Sequence, residues 1–120
     1  MPVDPYNERL AKVRHRFAAT LESKITDTYI ALPNMSGDGA AVTGVIDETY
    51  RRIHSIAGIG KAVGFAATGR AARKAETVLI QAHSTGRGLK TEEVNAFKKE
   101  LESLREAAQR ELDLVATHGM

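Results

Sequence analysis

One histidine in this chain stands among residues that suit it to act as a nucleophile. At about 100° of rotation per residue, Asp47, Tyr50, His54, Gly58 and Lys61 fall between about 80° and about 160° from Val42 on a helical projection. The apolar stripe of the same segment runs through Val42, Val45, Ile46, Thr49, Ile53, Ile56 and Gly60, on another flank. A histidine so placed is at least partly wet. Imidazole as a class titrates near about pH 6.5, so its neutral, nucleophilic form is available at neutral pH. Gly58 lies one turn beyond His54, and a glycine inside a helix costs about 1 kcal/mol relative to alanine. Gly60 adds a second such cost on the core side. Either the missing side chain gives another protein or a phosphoryl group room to reach the imidazole, or the glycines loosen a helix end or permit close packing. His15, His83 and His118 show no ligand spacing and no His-Glu-x-x-His motif, so no metal site is expected. Tyr50 reads as part of a docking surface or as the edge of the core, and Phe65 as core packing at a helix junction.

Charge is uneven along the chain. Residues 51–90 hold eight basic residues, Arg51, Arg52, Lys61, Arg70, Arg73, Lys74, Arg87 and Lys90, against one acid, Glu76, in a chain whose net charge is +2. Such a field suits an acidic partner surface or a phosphate, unless the side chains simply point into solvent in several directions.

Four periodic segments would carry these residues. Leu10, Val13, Phe17, Leu21, Ile25, Thr28 and Leu32 recur at steps of three and four, which predicts a helix over about 7–32. The loop Pro33–Gly39 follows, with Asp38 or Gly39 as the cap of a second helix over about 41–62. Gly64 marks a break. A third helix over about 65–84 follows Phe65, Thr68, Ala72, Ala75, Leu79 and Ala82, a face of small residues that allows close approach. Thr91 reads as the cap of a fourth helix over about 91–116, with Glu92 and Glu93 favourable to its dipole and Val94, Phe97, Leu101, Leu104, Ala108, Leu112 and Val115 on its inner face. The tail from Thr117 to Met120 is expected to fray. No segment alternates with period two. The expected fold is an all-α, antiparallel up-and-down four-helix bundle in a single domain over 1–120.

Composition removes several classes. The chain has no Cys, hence no disulfide, thiolate metal site or Cys nucleophile. No apolar run reaches the roughly 18–20 residues needed to span a bilayer. Met1–Pro5 lacks the basic start and apolar stretch of a signal peptide, so a cytoplasmic location is expected. Gly58-x-Gly60-x-x-x-Gly64 has neither the spacing nor the preceding strand of a nucleotide-binding loop.

The run His54-Ser55-Ile56-Ala57-Gly58-Ile59-Gly60-Lys61-Ala62-Val63-Gly64-Phe65, followed by a small-residue helix reaching Ala75-Glu76, resembles the histidine-containing phosphotransfer (HPt) domain. That family pattern has a His, a Leu-like residue two later, Lys or Ala and then Gly at the third and fourth positions, and a Gly-Phe or Gly-Leu pair further on. The likeness covers about residues 45–80; the outer helices match only in length and pattern. It implies a four-helix bundle in a two-component phosphorelay, whose exposed His takes a phosphoryl group from the aspartyl phosphate of one receiver domain and passes it to the Asp of another. Carried over, His54 is the phosphorylated residue, Gly58 supplies clearance, Lys61 lies beside the phosphate, and Tyr50, Arg51 and Ala57 face the partner. Ala57 stands where many members have Lys, which moves phosphate stabilisation to Lys61 and to Arg51 or Arg52. The implied partners are response-regulator receiver domains and a hybrid histidine kinase, with no nucleic acid and no membrane. The chain itself would be a monomeric phosphocarrier, not an autonomous enzyme, with no cofactor of its own and Mg²⁺ on the receiver. An HPt-like docking module that carries no phosphate is the alternative. A small helical nucleic-acid binder is a third reading, weakened by the lack of interleaved aromatics.

Overall fold

A computed structural model of the protein describes residues 5–118. It contains four α-helices, α1 (Pro5–Ala31), α2 (Ala40–Ala62), α3 (Ala66–Thr85) and α4 (Thr91–His118), with a 3₁₀ turn at Leu32–Asn34. Each lies within a few residues of its sequence-based bounds. α1 begins on a proline, whose missing N–H costs nothing in the first turn, and ends before Pro33, which disfavours helical backbone at the residue ahead of it. α4 runs on through Thr117 and His118 instead of fraying there. The expectations for Met1–Asp4 and for Gly119–Met120 lie outside the described residues.

The helices form an antiparallel up-and-down four-helix bundle in which α2 packs most closely on α3 and α3 on α4, while α1 lies more loosely across the remaining side. The core is aliphatic, as so few aromatics require. Phe17, Leu21 and Ile25 of α1, Ile46, Ile53 and Ile56 of α2, Ala72, Ala75 and Leu79 of α3, and Phe97, Leu101 and Leu104 of α4 are all buried. The edge of Phe17 meets Phe65, with ring centroids 5.1 Å apart, so Phe65 closes the core at the α2–α3 junction.

The tight α2–α3 crossing has a cause in two glycines. A Cβ on Gly60 would stand 3.2 Å from the Phe17 ring and 3.3 Å from the Phe65 carbonyl oxygen, and one on Gly69 would stand 3.1 Å from the Lys61 nitrogen and 3.2 Å from the Ala57 carbonyl oxygen. Backbone approaches backbone here. The chain reverses between the two helices through Gly64 at φ +92°, a conformation side chains rarely adopt.

One cap differs from expectation. Lys90, not Thr91, precedes α4; its carbonyl accepts the first helical bond from Val94 at 2.9 Å, and the Glu93 side chain accepts from the Lys90 N–H at 2.8 Å. The reciprocal half of a capping box is enough to start this helix. The first N–H groups of α3 find their acceptor on another helix. Glu111 of α4 accepts from the Thr68 N–H (2.7 Å) and hydroxyl (2.7 Å) and from the Ala67 N–H (3.4 Å). Thr68 is fully buried. Glu111→Ala should therefore cost about 1–3 kcal/mol in urea unfolding, because buried donors lose their partner. Glu111→Gln, which keeps one acceptor oxygen, should lose clearly less.

Candidate functional site

The α2–α3 seam brings together what the sequence separates. His54 sits on the outer flank of α2 with 59% of its side chain exposed. Its Nδ1 is hydrogen-bonded to Oε1 of Glu76 on α3. Glu76 is the single acid of the 51–90 stretch, and its side chain is only 4% exposed. Its other oxygen accepts from Arg73, one turn back on α3, at 2.6 Å. Burial pushes the Glu76 carboxyl up, but the hydrogen bonds from His54 and Arg73, reinforced by the Arg73 charge, outweigh it and leave its pKa below the ordinary value. Glu76 is thus a carboxylate at neutral pH. A carboxylate can only accept, so Nδ1 of His54 carries the proton, and in the neutral ring the lone pair is then on Nε2. This is the geometry that orients a catalytic imidazole, with a buried acid behind and a free nitrogen in front.

That carboxylate links the site to stability. A lowered pKa means the stabilisation is fully present above the ordinary value of 4.5 and is lost as pH falls through the folded value. The urea midpoint of the wild type should drop on acidification below that point more steeply than that of Glu76→Gln, whose residue 76 does not titrate.

Around His54 the other sequence-predicted residues divide. Gly58 is exposed, and a Cβ placed there would meet nothing within 4 Å. Close packing therefore explains Gly60 but not Gly58. Gly58→Ala should raise stability by about 0.5–1 kcal/mol through ordinary helix propensity, while a bulky Gly58→Leu should hinder any protein that must reach His54.

Lys61 is exposed on the His54 flank, but seven residues on, about 10 Å of helical rise away. Arg73, bonded to the carboxylate behind His54 and 53% exposed, is tied more directly to the site. Arg51 is exposed. Arg52 turns away, toward Glu48 at 3.2 Å and the Thr28 hydroxyl of α1 at 3.5 Å, and is not placed beside His54. Ala57 is also a correction. It is 2% exposed and belongs to the core, because the close crossing at Gly60 and Gly69 turns that side of α2 inward. It faces no partner. Tyr50 is half-buried, stacked at 5.9 Å on His54 and at 4.1 Å on His83.

Glu76 and Arg73 were not singled out from sequence. The available signal is weak but present: Glu76 is the lone acid in a basic stretch. The basic field itself is smaller than the residue count suggests, since Arg52, Arg73 and Arg87 are paired with Glu48, Glu76 and Glu93.

A groove of about 570 Å³ runs between α1 and α4 past Ile25, Tyr29, Arg105 and Leu112. Among the described residues no group of three His, Asp or Glu side chains is placed to hold a metal ion, and no helix is long and apolar enough to cross a membrane. Comparison with protein-family models, with curated proteins and with solved structures finds no match.

Proposed function

We propose that this bundle is a histidine phosphotransfer protein, in which His54 accepts a phosphoryl group from the aspartyl phosphate of a receiver domain and returns it to another receiver aspartate. The observation that carries the reading is an exposed imidazole whose Nδ1 is held by a buried carboxylate, beside a glycine with open space above it. Nε2 attacks phosphorus in line, a P–N bond forms, and the P–O bond to the aspartate breaks with its electron pair leaving on that carboxylate. The phosphorylated ring carries a positive charge with its proton still on Nδ1, and Glu76 faces that charge. The reverse step needs no added proton. Phosphoryl transfer asks chiefly for positioning and charge neutralisation, and Arg73 and Lys61 supply positive charge on this side. Mg²⁺ and the acidic pocket belong to the receiver, and the same chemistry suits a hybrid histidine kinase upstream. The setting is a phosphorelay in the cytoplasm, with the protein acting as a monomeric carrier.

The test is incubation with a phosphorylated receiver domain. Acid-labile, alkali-stable phosphate should appear on this chain and then pass to a second receiver. Absence of label from every receiver of the source organism would overturn the reading. Receiver binding that persists without any phosphohistidine would favour a docking module instead. Duplex binding that falls steeply with salt would favour a nucleic-acid partner.

A further inference from the structure

Tyr50 is where two imidazoles meet. Its ring lies nearly parallel to that of His83, with centroids 4.1 Å apart and planes at 9°, and nearly parallel to that of His54, at 5.9 Å and 13°. His83 has its own Nδ1 2.8 Å from Oδ1 of Asp47. The row of rings therefore starts at a carboxylate on α2, Asp47, and ends at a carboxylate on α3, Glu76. The transfer chemistry makes no use of Asp47 or His83. Both are partly exposed, so simple core packing does not account for their arrangement.

A single hydrogen bond settles where Nδ1 of His54 sits but leaves the ring able to rock about that bond, because the terminal torsion of a histidine is broad. A flat neighbour lying parallel to the ring restricts that motion. Tyr50 can act in this way only while its own ring is held. His83 lies against it and is in turn oriented by Asp47. We propose that Asp47, His83 and Tyr50 are positioning residues that hold the plane of the His54 ring, so that Nε2 keeps one outward line of approach. The functional meaning of this device rests on His54 being the phosphoryl acceptor; its geometric content does not.

The experiment uses the full chain, labelled with ¹⁵N, and two readouts at neutral pH. Long-range proton–nitrogen NMR reports which nitrogen of His54 carries the proton. Phosphorus NMR follows phosphohistidine formed with phosphoramidate, whose phosphoryl group passes to Nε2 while its nitrogen leaves as ammonia, so no receiver is needed. Wild type and Tyr50→Phe, which keeps the flat ring, should show His54 protonated at Nδ1 alone. Tyr50→Leu and His83→Gln should keep that proton on Nδ1, since the Glu76 carboxylate still holds it, yet slow the phosphoramidate reaction by roughly three- to tenfold, the scale expected of lost orientation at an intact site. His83→Gln carries the test if Tyr50→Leu fails to fold. An unchanged phosphoramidate rate in the variants that fold would overturn the proposal, even if their thermal midpoints fell, since a purely structural role lowers stability without moving the ring. A wild type that takes no phosphate from any receiver, yet whose phosphoramidate rate depends on Tyr50 and His83, would refute the phosphorelay and leave the positioning row standing.

Discussion

Label from a phosphorylated receiver domain is expected to come to rest on His54 and nowhere else on this chain. His54→Gln should take up none, because glutamine fills similar space without a nucleophilic nitrogen. Glu76→Gln should take it up roughly 100-fold more slowly or worse, where about 10⁴-fold is lost when the carboxylate behind a triad's imidazole becomes an amide. Two effects combine. The amide carries no charge to face the positive ring of the phosphorylated state. It can also present its NH₂ to Nδ1, which would move the ring proton to Nε2 and remove the attacking lone pair. Arg73 would meanwhile lose the carboxylate it now contacts. Uptake kinetics, read beside circular dichroism to confirm helix content, check this result. Full labelling of His54→Gln would mean another residue is the acceptor, and unaltered kinetics in Glu76→Gln would mean the acid serves packing alone.

The largest loss of stability is expected far from that site. Gly88→Ala should destabilise the fold by about 3 kcal/mol or more, because rigid backbone has no room to yield. The α1–α2 and α3–α4 connections touch at this end of the bundle. The Leu89 N–H donates to the Met35 carbonyl at 2.7 Å, Ser36 and Leu89 form an isolated parallel bridge, and both Met35 and Leu89 are buried. A Cβ on Gly88 would run into the carbonyl oxygen of Gly37 and stand 2.9 Å from Cγ1 of Val42 and 3.0 Å from the Gly37 nitrogen. The same glycine-to-alanine change at Gly58 meets open space and should stabilise. Urea unfolding of the pair therefore separates a glycine kept for backbone contact from one that the free protein does not need.

The helices were legible in sequence because their signals are local. Apolar steps of three and four, Pro33 and Gly64 each act on the few residues around them, and they set α1 to α4 to within a few positions. The exposure of His54 followed from the same arithmetic, since an angle on one helix needs no knowledge of its neighbours. The sequence by itself therefore determined four amphipathic helices, a mostly aliphatic core and the outward placement of His54. Register between helices is another matter. Only the close crossing at Gly60 and Gly69 decides that Glu76 comes to lie behind His54 and that Ala57 turns into the core. Only the full bundle brings Glu111 to the start of α3, Met35 to Leu89, and His83 to Tyr50. These contacts join residues far apart in the chain, and their pairing is decided by how side chains and bare backbone fill the space between helices, which no spacing along one strand of sequence encodes.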